Sequence, residues 1–361
     1  MKAAQKRWEA WLWPPKSGPL WQRAALFPLE GLSYIYGSVM KARTRSYLAG
    51  GKSRFRSSAY VIVAGNLTVG GTGKTTLAAW IAAMIEERGY KPAVILRGYK
   101  RSQKGGPHVV SEGNGPCMDA ASAGDEAYLL ALKLCCPVIV ACDRVKGAAM
   151  AENLGCTHLV LDDGYQHLSL ERDLDILVLD STADPADRFL LPRGPLREPI
   201  SAAGRAGVLV FSRCENVKTP QWEWLSSVCP ETPRFAMRYR QAGLFDAQTG
   251  EELPLDEPSI AFSGIGTPAS FKRVLGQAGV NLVRRLDYPD HHYYSGRDLA
   301  KLTALAKETG ATRLVTTEKD AVKIDPARLA GVRLAVLKIE PDFMGDENEL
   351  MNTILERKAP G

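Results

Sequence analysis

The chain reads as an α/β protein. We expect a mainly parallel sheet covered by helices, a second and smaller α/β unit joined to it by a β-hairpin, and an amphipathic surface helix at the N-terminus. Three observations carry this. From Tyr60 onward, short Val- and Ile-rich runs alternate with helical stretches, the pattern of strands buried on both faces. A glycine-rich turn joins the first such strand to the first such helix. Residues 1–57 differ from all that follows in charge and aromatic content. At 361 residues the chain is long for one core, and 45% apolar with 24% charged residues excludes wholesale disorder.

The N-terminal segment comes first. Residues 1–57 hold eleven Lys and Arg against Glu9 and Glu30, a net +9, which leaves −3 for the other 304 residues. Four of the seven Trp (Trp8, Trp11, Trp13, Trp21) fall here, followed by Tyr34, Tyr36 and a basic run from Lys41 to Arg56. Leu32, Ile35, Tyr36 and Val39 stand at the i, i+3, i+4, i+7 spacing of one helical face. The longest charge-free run, residues 31–40, is far short of the ~20 residues a bilayer span takes. Aromatic rings beside cations suit the headgroup layer of an anionic membrane surface, and that is the expectation. The competing reading is a basic helix packed on its own body. No nucleic acid and no obligatory protein partner is expected. Seven Cys without a CxxC pair, and no cleavable leader pattern, point to the cytoplasm.

The elements of the body follow in order. Strands are expected at Tyr60–Ala64, Pro92–Leu96, Pro137–Ala141, His158–Leu161, Asp175–Leu179 and Gly207–Phe211. Helices are expected around Thr75–Arg88, Asp125–Leu134 and Arg144–Leu154. Polar–apolar alternation over Arg234–Pro254, with the turn-like Asp246-Ala-Gln-Thr-Gly250, predicts a linking hairpin. The second unit then follows, with strands at Ser259–Ser263, Arg313–Thr316 and Arg333–Lys338 and helices at Pro268–Ala278 and Asp298–Thr309. The expected division is 1–57, 58–228, 229–257 and 258–361.

The glycine-rich turn is the strongest chemical signal. Val61-Ile-Val-Ala-Gly65-Asn-Leu-Thr-Val-Gly70-Gly-Thr-Gly73-Lys74-Thr75 has the strand–turn–helix context of a phosphate-binding P-loop. Backbone N–H groups of Thr68, Val69, Gly70, Gly71, Thr72 and Gly73 would cradle ATP phosphates at a helix N-terminus. Lys74 would reach the transferring phosphoryl, and the Thr75 hydroxyl would hold Mg²⁺. Thr68 stands where the strict pattern has Gly; the glycine weight has moved to Gly70 and Gly71. A buried strand ending in acids supplies the metal side: His158-Leu-Val-Leu-Asp162-Asp163.

Three further stretches carry chemistry. Asp125 in Gly124-Asp-Glu126 opens a helix, and reads equally as an N-cap or as a carboxylate that takes a proton from an acceptor hydroxyl. Tyr288-Pro-Asp290-His291-His292-Tyr293 supplies a histidine partner for it. The Pro-bounded loop Leu190-Leu-Pro-Arg193-Gly-Pro-Leu-Arg197-Glu198-Pro199 reads as an anion site or as a salt-bridged turn. A membrane-surface ATPase switch and a soluble small-molecule kinase are the other classes the P-loop permits. The first usually has Lys where Val69 stands, and the second leaves residues 8–56 unexplained.

Together these stretches resemble the tetraacyldisaccharide 4'-kinases, the lipid A pathway kinases. Leu96-Arg-Gly-Tyr-Lys-Arg101, Asp143-Arg144, Asp162-Asp-Gly-Tyr-Gln-His167, Phe262-Ser-Gly-Ile-Gly266 and Thr316-Thr-Glu-Lys-Asp-Ala-Val322 complete the match over about residues 60–325. The resemblance implies ATP-dependent phosphorylation of the 4'-hydroxyl of a tetraacyl glucosamine disaccharide 1-phosphate, by a peripheral enzyme on the cytoplasmic face of the inner membrane. It implies Asp125 as base with His291, Lys74 and Thr75 on the phosphates, Asp162 and Asp163 near Mg²⁺, and His167 and Glu198 near nucleotide and metal. Tyr165 stands where Phe is common, Thr76 and Ala127 where Pro is common, and Arg193 where Ala is common. None of these removes a group the chemistry needs.

Overall fold

The structure, a computed structural model, describes residues 13, 19–182, 188–216 and 221–356. Trp8, Trp11 and the cations Lys2, Lys6, Arg7 and Lys16 lie outside the described residues. The chain is a mixed α/β fold built on one large sheet. Its first half contains helices α1 (Leu20–Ala25) and α2 (Phe27–Leu48), strand β1 (Tyr60–Gly65), helix α3 (Lys74–Glu87), and strands β2 (Pro92–Leu96) and β3 (His108–Glu112). There follow α4 (Ala120–Ala123), α5 (Asp125–Lys133), β4 (Pro137–Val140), α6 (Arg144–Asn153), β5 (His158–Asp162), β6 (Leu174–Asp180), β7 (Val208–Ser212) and α7 (Gln221–Val228). The second half contains β8 (Arg234–Asp246), β9 (Ser259–Ser263), α8 (Pro268–Gln277), β10 (Leu282–Asp287), α9 (Gly296–Thr309), β11 (Arg313–Thr317), α10 (Glu318–Ala321), β12 (Arg333–Phe343) and α11 (Glu347–Glu356).

The strand order is β10-β9-β11-β12-β8-β7-β6-β1-β5-β2-β4-β3. All neighbours are parallel except β3 with β4 and β8 with β12. Because β1 lies between β5 and β6, the C-terminal ends of three buried strands meet at one place. This is the crevice where open α/β sheets bind ligands. Side chains alternate across the sheet as a pleat requires. Ile62 and Ala64 pack against Leu77, Ile81 and Ile85 of α3, while Val61 and Val63 pack with Ala148 and Ala151 of α6. Two further clusters, one around Phe271, Leu275 and Val315 and another around Leu299, Leu302 and Leu314, form the core of the chain's later half.

Of the residues expected as a linking hairpin, Arg234–Asp246 form one long strand. Its turn is real: Asp246 Oδ1 accepts from the N–H of Gln248 (2.8 Å) and Thr249 (3.0 Å), and Phe245 bridges Glu252. The main partner of β8 is nevertheless β12, antiparallel from Met237↔Phe343 to Asp246↔Ala335. Alternation in a sequence marks a half-buried strand but does not name a partner this distant. The chain also returns to its first unit. Leu350, Met351 and Ile354 of α11 lie in the same core as α3, and the Tyr60 hydroxyl donates to the Ile354 carbonyl (3.1 Å).

Candidate active site

The P-loop sits where its motif predicts. It leaves β1 at Gly65 and enters α3 at Lys74, with no side chain capping the helix, so the first N–H groups stay available to phosphate. Gly73 is required twice: its φ is +86°, and a Cβ there would meet the Tyr239 hydroxyl of β8 at 1.6 Å. Arg213, after β7, braces the loop from the other side by donating to the Gly71 carbonyl (2.6 Å) while paired with Asp180. Lys74 is buried (8% exposed); its Nζ lies 3.5 Å from the Gly70 carbonyl and 3.6 Å from Asp163.

Thr75 Oγ1 donates to Asp162 Oδ2 at 2.7 Å, which joins the P-loop to the end of β5. Asp162 is almost fully buried, and its Oδ1 has no hydrogen-bond partner among the described residues. Burial, reinforced by nearby Glu126, pushes its carboxyl up to about 7. A hydroxyl and a buried carboxylate oxygen with nothing to bind are suitable ligands for Mg²⁺, which takes one or two carboxylates and completes its shell with phosphate and water. Among the described residues no group of three or more His, Cys, Asp and Glu gathers as an all-protein metal cage.

Asp163 is turned by a φ of +54° away from the strand path. Burial works against its ionised form, but Lys74 and Arg197 outweigh it and hold the carboxyl below its usual range. Arg197 Nη1 donates to both its oxygens (2.9 and 3.0 Å). Arg144, 1% exposed, donates to the Ala141 and Asp162 carbonyls beneath the acidic pair. Burial lowers the Arg144 guanidinium to about 10, so it stays cationic at neutral pH. His167 is kept neutral: burial, then Arg144, Arg97 and Arg43, push it down to about 4.

Glu198, also expected near the metal, is paired within the protein. Arg205 holds both its oxygens (2.8 and 3.1 Å), and Gln166 Nε2 donates to Oε1 (3.0 Å). Its carboxylate is held by that pair, in contrast to Asp162.

The second half of the site joins segments far apart in sequence. Gly124 ends α4 with a φ of +89°, and Asp125 then starts α5 without capping another helix. Its Oδ2 lies 2.8 Å from His291 Nδ1, and its Oδ1 accepts the Glu126 N–H (3.0 Å). Burial raises the Asp125 carboxyl, but the His291 hydrogen bond with Lys319 and Lys323 outweighs it and brings the group below its ordinary range. His291 sits at φ +56°, its N–H bonded to the Gly264 carbonyl (3.0 Å), and the Tyr99 ring lies 5.3 Å from its own. Lys319 reaches Glu126, Asp290 and His291 together. His292 turns elsewhere: it stacks on Tyr288 and meets Asp298, which caps α9. Lys319 and Arg144 lie inside motifs visible in the sequence, but no spacing announces what they touch.

The N-terminal helix α2 packs one side on the Leu190–Glu198 loop. Ser33 Oγ donates to the Leu190 carbonyl (2.7 Å), the Tyr36 hydroxyl to the Arg197 carbonyl (2.9 Å), and Arg43 to the Gln166 carbonyl (3.0 Å). Phe27, Leu32, Tyr34, Ile35 and Val39 on its other side are 51–70% exposed. Tyr36 thus belongs to the packed side, not to the expected apolar row. No described helix is long and apolar enough to cross a membrane. Two family departures have local reasons: the Tyr165 hydroxyl donates to the Ala202 carbonyl (2.7 Å), and Arg193 lies buried over the Phe189 ring (4.6 Å).

Comparison with known proteins gives the family. The family model described as Tetraacyldisaccharide-1-P 4'-kinase matches residues 24–359. A protein of Anaeromyxobacter sp. (strain Fw109-5) named Tetraacyldisaccharide 4'-kinase is 35% identical over all of this chain and 98% of its own. One of the same name from Geobacter metallireducens is 37% identical over 88% of this chain and 94% of its own. The crystal structure of LpxK from Aquifex aeolicus in complex with ATP superposes with a TM-score of 0.73 at 32% identity, covering 93% of this chain and 99% of that one. The chain belongs to the tetraacyldisaccharide-1-P 4'-kinase family.

Proposed function

We propose that this chain transfers the γ-phosphoryl group of ATP to the 4'-hydroxyl of a tetraacyldisaccharide 1-phosphate, the kinase step of lipid A biosynthesis, with Asp125 as the base. The observation that carries the assignment of roles is the placement of Asp125, paired with His291, on the unit whose Thr75–Asp162 contact marks the metal side. N–H groups of residues 68–73 bind the phosphates. Lys74 leaves Asp163 for the transferring group, whose charge it offsets as the bond to ADP breaks. Thr75 and Asp162 would hold Mg²⁺, which neutralises phosphate charge when bound. Asp163 and Arg197 order the approach of Lys74, and Glu198 orients Gln166 and Arg205. At the acceptor, the O–H bond breaks toward Asp125 as the oxygen bonds to phosphorus, and the bridging P–O bond electrons pass to ADP. The His291 Nδ1–H steadies the carboxylate before it takes the proton.

The exposed row on α2, continued by Lys41 and Arg45, would dock on an anionic membrane, placing the enzyme peripherally on the cytoplasmic face of the inner membrane. The division at 57/58, 228/229 and 257/258 belongs to the same proposal, with α11 packed back on the first unit. The test is a transfer assay with γ-labelled ATP, Mg²⁺ and the lipid disaccharide in mixed micelles. Label on the disaccharide, dependent on Asp125, supports the reading. Hydrolysis of ATP indifferent to lipid contradicts it.

A further inference from the structure

His291 touches Asp125 through Nδ1, and its other ring nitrogen is also engaged. Lys319 Nζ lies 3.2 Å from His291 Nε2, 2.9 Å from Glu126 Oε1 and 3.4 Å from Asp290 Oδ1. Burial works against the charge on Lys319, but Glu126, Asp290 and Asp125 outweigh it and raise the amine above its ordinary value. It is therefore an ammonium, with three N–H donors and no lone pair. Three donors meet three acceptors, so His291 Nε2 must be one of the acceptors. The imidazole proton then sits on Nδ1 and points to Asp125.

We propose that Lys319 is a positioning residue for the transfer reaction: by donating to Nε2 it directs the imidazole proton of His291 to Nδ1 and at Asp125, while tying the histidine's segment to Glu126 of α5. This rests on the reading of Asp125 as base, and it decides a question that reading leaves open. With Nε2 taken by an ammonium, His291 does not receive the acceptor's proton in this arrangement; the carboxylate does. Lys319 comes from α10 in the later unit and Glu126 from α5 in the first. Lys133 with Glu318 (2.9 Å) and Lys323 with Asp125 (3.8 Å) flank the same contact. The groups around the imidazole are thus Asp125 and Glu126 from α5, Asp290 on its own loop, Lys319 and Lys323 from the α10 segment, and the Tyr99 ring.

The test uses full-length protein with ¹⁵N-labelled histidine, comparing wild type, Lys319→Met and Lys319→Arg, with His291→Gln to identify the signal. In wild type, Nδ1 carries the proton at neutral pH and Nε2 does not. Lys319→Met removes the donor beside Nε2, so the ¹⁵N signal of Nε2 should move and a proton should appear on Nε2 in a measurable share of the molecules. In the same variant kcat should fall about tenfold with KM for ATP nearly unchanged, and Lys319→Arg should restore both readouts in large part. An unchanged His291 tautomer and Nε2 signal in Lys319→Met overturn the proposal, whatever happens to turnover. If Asp125→Asn and His291→Gln keep full kcat, the base reading falls instead, and the tautomer measurement still decides what Lys319 does.

Discussion

The two halves of the site are built by opposite means. The phosphate half is made from one continuous stretch, residues 65–75, and mainly from backbone: a strand end, two glycines at positive φ and a helix N-terminus. The half proposed to hold the base, called the base half below, is made from side chains of three separate segments, and Asp125 and His291 stand 166 positions apart. Backbone sites are fixed by folding one short motif. Side-chain sites depend on two units being held together, here by Lys319, Lys323 and the Lys133–Glu318 pair. The phosphate half should therefore withstand changes elsewhere, and the base half should respond to anything that alters how the units meet.

Substitutions can break or sharpen this contrast. The largest effect is expected from Lys74→Ala, which should slow transfer about a thousandfold, because its charge acts on the group in flight. Single-turnover rates at saturating ATP would show this, and near-normal turnover would remove the P-loop lysine from the mechanism. His291→Ala should lower kcat by about ten- to a hundredfold and leave ATP binding alone. An equal loss in nucleotide affinity would mean the halves are not separate.

A pH experiment probes the phosphate half by itself. The Asp162 carboxyl, raised to about 7, is protonated below that pH and ionised above it. Only the ionised form binds a cation, so Mg²⁺-dependent nucleotide binding should strengthen as pH rises through about 7, and Asp162→Asn should remove that slope. The smallest effect belongs to α2. Ile35→Glu on its exposed face should weaken sedimentation with anionic vesicles about tenfold or more, given ~1.5–3 kcal/mol for an apolar side chain, while activity on a short-chain soluble acceptor stays the same. Equal vesicle binding by both proteins would assign that face another role.

The same contrast explains what could be read before any coordinates. The P-loop, the acid-ended strand and most strands between Tyr60 and Phe211 were legible because each is local. Strand β2, for example, falls on Pro92–Leu96 as its apolar run predicts. The edge strand β10 was not, since Leu-Val-Arg-Arg-Leu-Asp leaves much of its length to solvent and lacks a buried strand's pattern. Nor was the β8–β12 pairing, whose two strands each look self-sufficient. Asp125 could be read as a cap or a base from sequence; its contact with His291, 166 positions on, is what the sequence could not show and what supports the base reading. Glu198 entered only through the family resemblance, and its pairing with Arg205, seven residues on, was not legible in the sequence.

The most direct test measures ATP affinity and phosphoryl transfer on one preparation of Asp125→Asn. The account predicts an ATP Kd within about twofold of wild type and transfer to the lipid disaccharide down by about a hundredfold or more. Transfer at the wild-type rate, or ATP binding lost along with transfer, would contradict it.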